Sequence, residues 1–298
     1  VECRPDVTQI DVISNCRSVL GTPQLLTIGF IYSMLGLSLN IGCLTNWIKG
    51  TTSKKVPQRL FGSFLNIADC MMGIYCAILV CADVLLREDL GFVALYWKTS
   101  WTCKLASFLV TFSLQASITT TLTIAIDRFV LIVVNPFSRE GLAFYHSICL
   151  SFGSMIFAGI LPLFSCIIQP TTIQNSACMI LGSSLSLAYS VMYLVLNTLY
   201  FTVTCILYSI IVRTVVEARK KSGQKSHTSF GLIVRLGGII ITNFLTWIII
   251  STMTMFAMSG VKVYTYTETI LSFILFPLNS VLNPVLTLYT VFQSKGNK

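Results

Sequence analysis

Charge is what this chain has least of. Only 10% of its 298 residues are Asp, Glu, Lys or Arg, while 54% are hydrophobic. A soluble domain carries about 25% charged residues, so polar side chains are too few to coat a water-soluble protein of this size. That excludes an ordinary soluble enzyme and points to lipid as the main solvent. Histidine is nearly absent, with His146 and His227 standing alone, and the 11 cysteines show no zinc-like spacing. No nucleophile has a base partner and no glycine-rich phosphate loop occurs, so nothing implies covalent catalysis or an enzyme. Also missing are a signal-peptide pattern, internal repeats, low-complexity tracts and a domain linker. The opening residue is Val1 rather than Met, which reads as a fragment or a processed product.

What is present is apolar length. Seven runs are each long enough to cross a bilayer, for which about 20 residues suffice. They span residues 25–48, 60–85, 103–134, 145–168, 184–216, 231–258 and 266–291. Helices are expected, because a lipid-exposed backbone must satisfy its own hydrogen bonds. A transmembrane β-barrel would show short alternating strands instead. The fold class is therefore all-α, a seven-transmembrane-helix bundle over residues 25–291, after a segment 1–24 and before the start of a tail, 292–298.

The bases fix an expected orientation. Fourteen of the 20 Lys and Arg fall in the first, third and fifth connectors, at their flanks and in the tail, leaving six on the other side. By the positive-inside rule the N-terminus lies outside and the C-terminus in the cytoplasm. The formal charge of +9 is thus a topology signal with a minor share for anionic lipid, and no nucleic acid is expected. Four cysteines, Cys3, Cys16, Cys103 and Cys178, fall outside or at the edge of the apolar runs and are disulfide candidates.

Ionisable groups within hydrocarbon are costly and mark function by default. Asp69 lies in the second run, and Asp127 and Arg128 close the third. Asn40, Asn279 and Asn283 are amides within runs, and Ser117 lies eleven residues before Arg128 on the same helix. Amides and hydroxyls in membrane helices often only bridge neighbours; a mid-span carboxylate is harder to explain that way. A retinal pump would want a lysine in the last run, which has none, and a transporter would show inverted repeats or broken helices.

Asn40, Asp69, Cys103, Asp127-Arg128-Phe129 and Asn283-Pro284 occur in the order, and in the helices, of the rhodopsin-like G-protein-coupled receptors. The chain resembles that family over residues 25–291. The resemblance implies a disulfide from Cys103 to Cys178 and a sodium-linked polar cluster of Asp69, Ser117, Asn279 and Asn283. Such an oxygen set suits a hard cation, and no other cofactor is implied. It implies G-protein coupling through Asp127, Arg128 and Tyr208, and activation switches at Trp247, Asn243, Gln115 and Pro284.

A narrower resemblance is to the leucine-rich-repeat receptors, the glycoprotein-hormone and relaxin receptors. Glu2-Cys3-Arg4-Pro5, Asn15-Cys16 and Leu20-Gly21 are similar to their hinge, and Ala68 to Tyr75 to their second helix. Trp97, six residues before Cys103, and Phe276 to Ser280 with Leu282-Asn283-Pro284 also match, and Tyr200 stands where most rhodopsin-like receptors have proline. The second and seventh helices look nearest to relaxin receptors. No 20–29-residue leucine repeat occurs here, so the hormone-capturing domain is either upstream of Val1 or lost.

The departures are specific. Phe152 replaces the fourth-helix tryptophan, Ile249 the kinking proline after Trp247, and Thr287 the tyrosine after Asn283-Pro284. No acid near Ser229 offers a lock to Arg128, and Val110 stands where amine receptors place aspartate. Gln115 and Asn243 replace a glutamate and an aspartate of the subgroup, keeping hydrogen-bonding atoms without a buried charge. The resemblance implies a plasma-membrane receptor that passes an extracellular peptide or protein hormone signal to a heterotrimeric G protein. The rivals are a non-signalling decoy or ligand carrier on the same fold, and a transporter or channel.

Overall fold

The computed structural model describes residues 18–49, 56–135, 142, 144–168, 177–178, 187–222, 227–258 and 265–296. Cys3, Cys16 and the hinge-like stretch before Ser18 lie outside the described residues, as do the side chains of Ser229 and Tyr289.

Among the described residues the chain forms eight α-helices and one π turn and no strand. They are α1 (Pro23–Lys49), α2 (Val56–Leu85), α3 (Leu90–Thr99), α4 (Trp101–Phe129, continued by a π turn at Val130–Val134), α5 (Phe144–Ile168), α6 (Leu187–Ser222), α7 (His227–Met258) and α8 (Thr265–Gly296). All but α3 correspond to the seven expected spans, most ends differing by a few residues. Five of them are long and apolar enough to cross a membrane over their described residues, and α7 and α8 contain the shorter apolar stretches Gly237–Ile249 and Phe273–Leu288. The helix α6 has 36 residues, about 54 Å of length, against about 30 Å of hydrocarbon. It is therefore longer than the hydrocarbon requires, and Lys220 lies beyond its apolar stretch, Val191–Ala218.

Local chemistry sets the helix ends. Thr22 accepts the Leu25 amide through its hydroxyl at 3.4 Å, and Pro23 follows at the first helical position, where a missing N–H costs nothing. Ser100 serves two helices. Its backbone N–H closes α3 on the Trp97 carbonyl, and its hydroxyl accepts from the Cys103 amide to open α4. The α2–α3 turn is tight enough to put Glu88 at a φ of 74°, a region that costs a residue with a Cβ on the order of 1 kcal/mol.

Packing closes a ring of α1, α2, α4, α6, α7 and α8, with α5 set against α2 and α4. The helix α4 lies against α2, α5, α6 and α7, and α1 closes the ring against both α2 and α8. In lipid there is no hydrophobic drive between helices, so close backbone approach and buried hydrogen bonds hold the bundle. At Gly36 a Cβ would sit 3.5 Å from the Gly73 Cα, which shows how nearly α1 and α2 touch. Ala68, Ala116 and Ala158 do the same for α2, α4 and α5 at mid-bundle. The two ends have their own apolar cores. One centres on Tyr75, Trp97, Cys103 and Phe273, the other on Phe61, Leu65, Ile124 and Ile239.

Candidate functional site

At one end, Cys103 and Cys178 are joined in a disulfide, as the resemblance implies. It pins the segment carrying Ala177 and Cys178 to the start of α4, and the Tyr75 hydroxyl donates to the Ala177 carbonyl at 2.9 Å. Val19 and Leu20 are fully buried in the same core. Asp83, also buried, accepts the Leu20 amide at 2.7 Å and meets Arg87 at 3.5 Å. Sequence reasoning did not single out Asp83. The signal was there, an acid four residues before a base at the end of an apolar run, but it reads equally as a helix boundary.

The middle of the bundle holds the polar residues singled out in the sequence. Asp69 is buried, and among the described residues its one hydrogen-bond donor is the Asn283 amide, at 3.0 Å. Ser117 and Asn279 turn instead to Asn243. Ser117 offers its hydroxyl to the Asn243 carbonyl oxygen at 3.5 Å, and the Asn279 amide donates to that same oxygen. The Asn243 amide in turn donates to the Thr121 hydroxyl at 3.2 Å. The expected four-residue cluster is thus two sets, with Asn243 the hub of the second. The amide carbonyl of Asn243 draws in two donors without the charge an aspartate would bring. Among the described residues the side-chain carbonyls of Asn279 and Asn283 are buried and accept no hydrogen bond, and Asn283 is the one whose amide reaches Asp69.

Asn40 explains how a proline sits inside α8. Pro284 has no N–H to give the Ser280 carbonyl four residues back. The Asn40 amide fills that place at 2.9 Å, while also donating to the Gly36 carbonyl at 2.7 Å. Thus α1 mends the break in α8, as the membrane interior requires. Trp247 is buried, with its ring 6.0 Å from that of Tyr193. Ile249 leaves α7 unbroken from His227 to Met258. Gln115 is 0% exposed, and among the described residues neither its amide nitrogen nor its carbonyl oxygen has a hydrogen-bond partner. Phe152 faces outward, its ring edge-on to Phe64 at 5.2 Å.

At the other end, Arg128 is buried and held by Asp127 at 3.2 Å. Asp127 also accepts the Leu142 amide at 3.2 Å, so one carboxylate ties α4 to the connector that follows it. Tyr208 reaches from α6 to the surface of α7, where a Cβ on Gly237 would lie 2.5 Å from its hydroxyl. A Cβ on the adjacent Gly238 would lie 2.8 Å from a Leu286 methyl. The glycine pair therefore lets α6 and α8 press onto α7. Thr287, in place of a tyrosine, turns back to the Asn283 carbonyl at 2.9 Å. The arrangement offers binding and conformational coupling, and among the described residues no cluster of three or more His, Cys, Asp or Glu could hold a metal.

The sequence is similar to those of several hormone receptors. The follicle-stimulating hormone receptor of Cairina moschata is 27% identical over 98% of this chain and 41% of its own length. The thyrotropin receptor of Ovis aries is 25% identical over 95% of the chain and 36% of its own length. A probable glycoprotein hormone G-protein coupled receptor of Anthopleura elegantissima is 25% identical over 96% of the chain and 31% of its own length. The chain spans about two fifths or less of these proteins. They lie on the glycoprotein-hormone side of the subgroup read from the hinge and second-helix motifs. The family described as 7 transmembrane receptor (rhodopsin family) matches residues 40–286, a receptor family rather than an enzyme family, and the chain belongs to it.

Proposed function

We propose that this chain is the membrane portion of a receptor that carries a peptide or protein hormone signal to a heterotrimeric G protein. The single observation behind this reading is the buried Asp127–Arg128 pair at 3.2 Å. A guanidinium kept out of lipid and water by one carboxylate is a group with two stable partners, its own acid and something that comes to the open end. Tyr208, seated against Gly237 on α7, is the neighbour that would move with α6 and α7. The N-terminus lies outside the plasma membrane and the basic end of α6 faces the cytoplasm, by the positive-inside rule. A hormone shifts the balance only by binding one arrangement more tightly than the other.

Asp69, Ser117, Asn279 and Asn283 are the residues that would hold a sodium ion. The two buried amide oxygens without donors and the carboxylate with one neutral donor fit a hard cation. Bound there, the ion supplies counter-charge to a buried carboxylate, which is otherwise costly. Sodium but not N-methylglucamine should raise the thermal midpoint of the purified receptor, and Asp69→Asn should abolish that rise.

The test of the signalling function is G-protein activation in cells expressing the chain, across a panel of Gα classes, with surface labelling to match expression. Basal or hormone-driven activity lost in Arg128→Ala supports the reading. Activity indifferent to that change sinks it, and silence of a well-expressed receptor joined to a hormone-capturing domain favours a decoy.

A further inference from the structure

The helix α3 has no polar face from Leu90 to Trp97; its one charged residue, Lys98 in the last turn, is buried, and Thr99 ends it. On one side, Leu90, Ala94 and Trp97 are buried in the core beside the disulfide. On the other, Phe92 is 67% exposed, Leu95 66% and Tyr96 77%. A helix in a water-washed connector keeps polar residues outward; one apolar all round is covered by something. Ten residues give about 15 Å of helix, half of what would cross the hydrocarbon. The helix therefore cannot be an eighth span.

Its place in the fold says what covers it. The helix hangs between the last turn of α2 and the first turn of α4, where two spans reach the membrane surface. Its outward face continues onto Val84 and Leu85 at the end of α2, and onto Trp101 and Leu105 at the start of α4, all strongly exposed. Those residues stand on spans whose outer surfaces face lipid. The residue types match that depth. Tyr96 and Trp101 have an apolar body with a polar edge, the property that places such rings at the headgroup level. The Lys104 ammonium sits 5.0 Å over the Trp101 ring, a base beside an interfacial aromatic that lets the charge stay in the headgroups.

We propose that α3 lies in the headgroup–acyl boundary of the bilayer, with Phe92, Leu95 and Tyr96 as its lipid contacts and Trp101, at the start of α4, beside them at the same depth. The first connector on the disulfide side is then a membrane-embedded brace. It holds α2 and α4 at a fixed depth, while its inner face supports the disulfide core.

The test uses the full chain in nanodiscs made with phospholipids brominated either near the headgroup or near the chain end. The Trp101 signal is the difference in emission between the parent and Trp101→Phe. Headgroup-proximal bromine should quench that difference several-fold more than terminal bromine, and aqueous iodide should quench it little. In Phe92→Ser/Leu95→Ser/Tyr96→Ser, the shallow quenching should fall and iodide access should rise, with the Cys103–Cys178 bond and the thermal midpoint checked to confirm folding. Strong iodide quenching with no bromine effect in the parent would overturn the proposal in favour of a water-facing patch. Emission shielded from both quenchers would overturn it in favour of a protein cover, a segment of the longer chain or a second copy. Equal quenching at both depths would place the ring along a span and overturn the interfacial assignment.

Discussion

Replacing Gly237 by alanine should reveal how tightly α6 is seated on α7. The added Cβ would lie 2.5 Å from the Tyr208 hydroxyl, while ordinary contact begins at 3.4 Å. The phenol must retreat by about 0.9 Å, the difference between those two distances. Overpacking of this kind costs roughly 1–3 kcal/mol, whereas alanine in place of glycine inside a helix contributes about 1 kcal/mol. The net change for Gly237→Ala is a destabilisation of about 0–2 kcal/mol. With the hydroxyl gone in Tyr208→Phe, the next atom is Cζ at 3.3 Å, and little clash remains. In that background the same glycine replacement should stabilise. The coupling between the two sites should be about 1–3 kcal/mol, read as a change of sign in the shift of the apparent melting midpoint. A thiol-reactive dye reporting release of buried Cys43 and Cys76 suits the purified receptor. If Gly237→Ala shifts the midpoint equally in both backgrounds, the seat does not exist as described. Should the chain signal as proposed, Gly237→Ala alone should also raise basal activity, since it dislodges Tyr208 from its closed position.

Three further outcomes are expected. Gln115→Met removes an amide that has no buried partner at little change in volume, and should stabilise by about 1–3 kcal/mol; a lower midpoint in the dye assay would show that Gln115 has a partner. Asp83→Ala deprives the Leu20 amide of its acceptor and should cost about 1–3 kcal/mol, with faster hydrogen exchange at Leu20; unchanged exchange there contradicts the bond. Asn243→Asp restores a charge beside Asn279 and removes the donor to Thr121, so basal G-protein activation should change at matched surface expression. No change in a signalling-competent receptor would falsify the idea that this hub biases the two states.

The spans were legible because twenty apolar residues in lipid have one stable backbone solution, so composition alone placed seven helices to within a few residues at most ends. The helix α3 escaped that logic: at ten residues it is too short to read as a span, and without a polar face it lacks the pattern of a surface helix. Within the site, Asp69 and Asn283 stood out because polar groups in apolar runs are costly wherever they lie. Their partners were not legible. Asn243 meets Thr121 across 122 residues of sequence and Asn279 across 36, and no periodicity encodes which helices face each other. Asn40 was visible as a buried amide, but its service to the carbonyl freed by Pro284 emerges only once α1 lies against α8.

The π turn at Val130–Val134 affects how this chain is compared with its kin. Its closing bond runs from the Asn135 amide to the Val130 carbonyl, five residues back, at 2.9 Å. Each such turn holds one residue more than an α-turn, so its last residues, to the cap at Asn135, are rotated by up to about 100° from where the α-helical wheel would put them. Counting backward from Arg128 to Gln115 or Cys103 keeps every residue on its proper face. Counting forward through Val130–Val134 does not. A relative with an unbroken α-helix there should align with this chain through a one-residue gap in that valine-rich stretch. Deleting a single residue from it should straighten the turn while leaving Arg128 where it is.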